Sequence, residues 1–113
     1  MAVGHRPVLV AYNVWLADAD LARAQQIAAA MRSPSVRALG LQVGTEVQVS
    51  MNLIAPSVTG PGAATDAVAA HAEVARCELV GLVPAWVLLA EDPERWPQLD
   101  LAEDRTIEAR LRR

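Results

Sequence analysis

From Val47 to Leu53, apolar and polar residues alternate without a break. Val47, Val49, Met51 and Leu53 fall on one side of an extended chain, and Gln48, Ser50 and Asn52 on the other. A period of two marks a strand buried on one face only. Asn is disfavoured inside strands, so this polar row asks what lies opposite it. The stretch from Val8 to Leu16 raises the same question with Asn13. It is β-branched and aromatic, and too unbroken for a surface helix. Two such strands point to a sheet with helices on one side and an uncovered other side.

The rest of the chain fits that frame. After the first strand, Asp18 or Asp20 can cap a helix, because a carboxylate accepts the free amides of a first turn. Leu21, Ala24, Ala28 and Met31 then recur at helical spacing, and Ser33-Pro34 ends the helix. Val36 to Val43 reads as a second strand weakened by Gly40. Gly44-Thr45 supplies the turn of a hairpin to the third strand. Ala55 to Gly62 is loop. Thr65 or Asp66 opens a short helix through about Ala72, and Val74 to Val80 is a fourth strand. Pro84 suits a first helical turn, with Trp86 and Leu89 placed to pack it down. Beyond Asp92 the chain is charged, and Ala102 to Arg113 reads as a solvated helix or a frayed tail.

The order strand, helix, strand, strand, helix, strand builds an α+β, ferredoxin-like βαββαβ sandwich, with a mixed, mostly antiparallel sheet and helices on one face. In it Val10, Tyr12, Val14, Val49 and Met51 face the helices. Asn13, Trp15, Gln48, Ser50 and Asn52 share the bare face. That face is a ligand floor, a docking surface, or simply solvated sheet. The expected division is residues 1–91 as the domain and residues 92–113 as a charged C-terminal extension.

Composition narrows the function classes. A chain of 113 residues with 53% hydrophobic and 20% charged residues can bury a core, and disorder is not expected. The net charge of −3 supplies no field to draw in nucleic acid or an anionic membrane. The apolar stretch from Leu79 to Ala90 is too short for a membrane span and contains Gly81 and Pro84. A single cysteine, Cys77, cannot pair internally. The expectation is a cytoplasmic protein with neither nucleic-acid nor membrane partners.

No enzymatic motif is complete. His5, His71 and Cys77 are too scattered for a metal site, and Cys77 has no evident base beside it. No catalytic residue is assigned. Near the N-terminus, Gly4 would let backbone approach a ligand, and Arg6 offers a planar fork to a carboxylate.

Three blocks carry a family resemblance. They are Gly4-His5-Arg6-Pro7 running into Val8-Leu9-Val10-Ala11-Tyr12-Asn13-Val14, then Gln48-Val49-Ser50-Met51-Asn52-Leu53, then Glu78-Leu79-Val80-Gly81-Leu82-Val83-Pro84. In this order they resemble the C-terminal subdomain of glutamate formimidoyltransferase, a folate-dependent transferase of histidine degradation and one-carbon metabolism. The resemblance implies a folate-binding segment at Val3, Gly4, His5, Arg6 and Pro7. It places Asn13, Ser50 and Asn52 on the wall of a tunnel for tetrahydrofolate, the co-substrate, and formiminoglutamate. It implies that the catalytic base belongs to the family's N-terminal subdomain, so this chain would work as one half with such a partner and be inactive by itself. The sequence departs from the family at Trp15, where Asn is common, and at Arg76-Cys77, where Gly-Ser is common. The alternative is a non-catalytic domain that forms a homodimer through its open sheet face and binds a small metabolite or none.

Overall fold

A computed structural model describes residues 9–112. Its order is β1 (Val10–Leu16), α1 (Leu21–Met31), β2 (Val36–Val43), β3 (Glu46–Leu53), α2 (Pro61–Ala69), β4 (Val74–Val80), α3 (Ala85–Leu89) and α4 (Ile107–Leu111). Short 3-10 turns at Pro93–Arg95 and Glu103–Arg105 lie between α3 and α4.

The four strands form one sheet in the order β2-β3-β1-β4. All three pairings are antiparallel, where the sequence reading expects a mixed sheet. The reason is topological. Helices α1 and α2 each join two parallel strands, but another strand lies between them: β3 separates β1 from β2, and β1 separates β3 from β4. The fold is therefore α+β, an antiparallel sheet with helices packed on one face, consistent in general terms with a ferredoxin-like topology.

Alternation decides which side chains enter the core. Val10, Tyr12, Val14, Val49, Met51 and Leu53 are buried and meet Ala24, Ile27, Ala28 and Met31 of α1. Fully burying a side chain of this size contributes roughly 1.5–3 kcal/mol. Asp20 caps α1 by accepting from the Arg23 amide at 2.8 Å. Gly40 lets α1 lie on β2: a Cβ there would sit 2.5 Å from the Ala24 carbonyl carbon and 2.7 Å from Gln25 Cα.

Two expectations are corrected on the helix side. First, α2 begins at Pro61 and not at Thr65 or Asp66. Its N-cap, Gly60, has no side chain to cap with, and the Glu91 carboxylate accepts the Gly62 amide at 3.0 Å instead. Second, Val87 and Leu88 anchor α3, while Trp86 and Leu89 stay exposed.

The segment from Asp92 to Leu101 is packed, and within residues 102–113, where a solvated helix or frayed tail is expected, a short helix forms, α4, with no buried residue. Leu99 and Leu101 enter the core, and the Tyr12 hydroxyl donates to the Leu99 carbonyl at 2.6 Å. The Leu79 amide donates to the Asp100 carboxylate at 2.9 Å, and Arg105 donates to the Leu79 carbonyl at 2.8 Å. These contacts satisfy backbone groups along the outer edge of β4, which would otherwise be open for pairing. The opposite edge, β2, is covered less: Arg32 Nε donates to the Ala38 carbonyl at 3.0 Å.

Candidate functional site

The face opposite the helices carries the second set of alternating side chains. The register aligns them in rows across the sheet. Leu39, Ser50, Asn13 and Glu78 make one row. Arg37, Asn52, Ala11 and Val80 make the next, and Leu41, Gln48, Trp15 and Arg76 the row on the other side. Asn13, Ser50 and Asn52 are thus brought together on one face of the sheet. Asn52 is exposed, and Asn13 and Ser50 are partly so.

Two members of this face are not open. Trp15 is 7% exposed and Gln48 is 5% exposed. The Arg76 guanidinium lies over the Trp15 ring, 4.2 Å from its centre, and also pairs with Glu46 at 3.5 Å. A bulge at the Trp15/Leu16 step, where β4 carries an extra residue, interrupts the pairing next to this stack. The Gln48 side-chain oxygen is buried and receives no hydrogen bond from the described residues.

Glu78 is the hub of the face. Its Oε1 accepts from Asn13 Nδ2 at 3.0 Å and from Trp15 Nε1 at 3.1 Å. Those two donors, the Asn13 amide first, hold the carboxyl below the ordinary glutamate range, and the nearby Arg76 charge adds to the effect. Glu78 is therefore an ionised carboxylate at neutral pH. The alternation in Val74–Val80 signals its place: β4 pairs with β1, so Arg76, Glu78 and Val80 fall on the face of Asn13 and Trp15. Glu78 lies in the third matching block, where alternation alone gives it no partner.

At the β2 end the face opens into a cleft of about 470 Å³, lined in part by Arg32, Arg37, Leu39, Ser50 and Asn52. Apolar side chains flank the polar row: Leu39 is 58% exposed on one side and Val80 is 48% exposed on the other. The face thus combines a fixed carboxylate at β4, amides and a hydroxyl in the middle, and an arginine at β2.

The other candidates lie elsewhere. Val3, Gly4, His5, Arg6 and Pro7 fall outside the described residues. His71 is exposed in the turn after α2, where its carbonyl accepts from Arg23 at 2.8 Å. Cys77 is on the helix side, 3.5 Å from the Thr65 hydroxyl. Burial raises the Tyr12 phenol well above its ordinary value, so it acts as a neutral donor. Among the described residues, no group of three or more His, Cys, Asp or Glu side chains is placed to hold a metal ion. No helix among them is long and apolar enough to cross a membrane.

No family model and no curated protein matches the chain.

Proposed function

We propose that this chain is the folate-binding half of a glutamate formimidoyltransferase, built on a ferredoxin-like βαββαβ sandwich. In this reading it works in the cytoplasm and holds tetrahydrofolate and formiminoglutamate against its open sheet face. The observation that supports it is the row of Ser50, Asn13 and Glu78 beside Asn52, aligned on the face that no helix among the described residues covers. Amides, a hydroxyl and a carboxylate fixed on neighbouring strands can orient a polar heterocycle. Leu39 and Val80 offer apolar walls for its rings. The catalytic base would come from an N-terminal subdomain closing over the same face. Proximity and orientation are worth as much as ~7–11 kcal/mol of a barrier, and one wall does not provide them.

Calorimetry with folinate tests the reading. Wild type is expected to bind. Arg6→Ala is expected to bind about tenfold to a hundredfold more weakly, as the loss of a hydrogen bond to a charged group requires. Formiminoglutamate and tetrahydrofolate should give no 5-formiminotetrahydrofolate with this chain alone, and should give it once a family N-terminal subdomain is added. Absence of folinate binding, or robust turnover by this chain alone, overturns the proposal.

A second reading rests on a separate observation, the apolar stripe Leu39, Leu41 and Val43 exposed along β2. A homodimer formed face to face would bury it, and the domain would then be non-catalytic. Sedimentation separates the two readings. A concentration-independent dimer that excludes folinate favours the second.

A further inference from the structure

We propose that β2 pairs with β2 of a second copy of this chain, edge to edge and antiparallel about a twofold axis at Leu41, so that two four-stranded sheets become one continuous sheet. The proposal goes beyond both readings of function. Pairing at the edge leaves the open face uncovered, so it holds whether or not that face binds folate.

The direction of the backbone groups on β2 follows from its first residue. Val36 exchanges amide and carbonyl hydrogen bonds with Ser33, at 3.0 and 3.2 Å, and so points both groups away from β3. The register with β3 then runs without a shift from Val36 to Val43. Bonded and non-bonded positions alternate along an antiparallel pair, so the amides and carbonyls of Ala38, Gly40 and Gln42 also point outward. Arg32 takes the Ala38 carbonyl at 3.0 Å. The amides and carbonyls of Gly40 and Gln42 form no hydrogen bond with the described residues.

This edge lacks the devices that keep strands from pairing. Between Ala38 and Val43 it carries no charge, no proline and no bulge. Leu39, Leu41 and Val43 stand exposed along it instead. The β4 edge, by contrast, is closed by Asp100 and Arg105.

One register uses only open groups. With Leu41 opposite Leu41 of the second copy, Gly40 falls opposite Gln42 and Gln42 opposite Gly40. Each such pair exchanges both backbone hydrogen bonds, and Arg32 stays on Ala38. The same register sets Leu39 opposite Val43. The exposed apolar side chains then meet at the closely spaced, non-hydrogen-bonded positions, where cross-strand contact is strongest. An axis at Gly40 would set Ala38 opposite Gln42 and call on the carbonyl that Arg32 holds. A patch that matches itself about a twofold axis fits a second copy of its own chain. On the helix side, Ala22, Gln25 and Ala29 are exposed at the helical spacing that leads to Arg32. Two of these three are alanines, which leaves room for a second α1 alongside.

Sedimentation and amide exchange by NMR test the proposal on the full chain. Wild type is expected to dimerise reversibly between micromolar and millimolar concentration, and the Gly40 and Gln42 amides should exchange more slowly as the dimer forms. Gln42→Pro removes an outward amide and no bond to β3. It should weaken dimerisation roughly tenfold to a hundredfold, because the axis repeats the lost hydrogen bond. Leu41→Lys sets like charges directly opposite and should weaken it too. Val80→Lys, on the open face at the far edge strand, should leave it unchanged. A chain that stays monomeric at millimolar concentration overturns the proposal. So does a dimer whose Gly40 and Gln42 amides exchange as fast as in the monomer; both results are read on wild type and need no variant to fold. Protection of those amides at every concentration would show that the chain covers its own edge, and also overturns it. A dimer broken by Val80→Lys and kept in Gln42→Pro would be face to face, which sinks the proposal and leaves the second reading of function standing.

Discussion

The Tyr12 hydroxyl, on a central strand, donates at 2.6 Å to the carbonyl of Leu99, 87 residues further along the chain. Both residues are fully buried, so neither group has water as an alternative. Tyr12→Phe keeps the ring and strands the carbonyl. A buried acceptor without a partner costs about 1–3 kcal/mol. Urea denaturation should show that loss, and hydrogen exchange should show the segment after Asp92 opening more readily. Unchanged exchange there would mean that Leu99 is held by its packing alone.

Gly40 provides a test with an unusual sign. In an ordinary strand, replacing Gly by Ala stabilises by roughly 0.4–1 kcal/mol through the unfolded chain. Here the added methyl would meet α1 backbone, with the Ala24 carbonyl carbon only 2.5 Å away. Backbone does not rotate aside as a side chain can. Gly40→Ala is expected to destabilise by about 1–3 kcal/mol, the usual cost of overpacking. A midpoint at or above the wild-type value in thermal unfolding would show that the helix shifts freely.

The parts of the fold that were legible share one property: their signal is local. The alternation in Val47–Leu53 and the spacing of Leu21, Ala24, Ala28 and Met31 both report a face; the strand face is buried, and so are Ala24, Ala28 and Met31, while Leu21 at the start of the helix is only half-buried. What was missed depends on partners far along the chain. The start of α2 is not legible locally because the side chain that accepts its Gly62 amide is Glu91, 29 residues away. Thr65 and Asp66 have the right chemistry for a cap and sit in the helix interior. The anchoring of Leu99 and Asp100 leaves no periodic trace, since it uses a tyrosine and a strand edge. On the open face, Asn13, Ser50 and Asn52 followed from alternation alone. The role of Glu78 needed the strand order and the β1–β4 register as well.

Glu91 carries a stability prediction of its own. It supplies the side-chain acceptor at the α2 N-terminus, where its negative charge also suits the helix dipole. Glu91→Ala should cost about 0.5–2 kcal/mol, as the loss of a cap does. Glu91→Gln keeps an acceptor and should cost less. Equal losses for the two variants in urea would assign the whole effect to charge.

Glu78 ties stability to pH in a definite direction. Asn13 and Trp15 lower its folded value below that of the unfolded chain, about 4.3. A lowered carboxylate stabilises the fold above the unfolded value and loses that contribution as pH falls through the folded value. The advantage of wild type over Glu78→Gln should therefore be full near neutrality and shrink on acidification below about pH 4.3. Urea midpoints of both proteins across that range check the sign. A gap that stays constant or widens in acid would show that the Asn13 and Trp15 hydrogen bonds do not favour the ionised form.

Asn13 and Asn52 should separate fold from function. The Asn13 amide is committed to Glu78 at 3.0 Å, so its loss frees the carboxylate as well as removing a polar group. Asn52 is exposed, and its side chain forms no hydrogen bond with the described residues. It therefore contributes little to the fold, and surface substitutions of that kind usually change stability by no more than about 0.5 kcal/mol. If the open face binds folate, the amide of Asn52 is available for the ligand. One neutral hydrogen bond is worth about 0.5–1.5 kcal/mol, or roughly twofold to tenfold in affinity. Asn52→Ala should then weaken folinate by that factor with an unchanged unfolding midpoint, whereas Asn13→Ala should lower both. Full folinate affinity in Asn52→Ala would take Asn52 off the wall, because nothing in the fold would mask its loss.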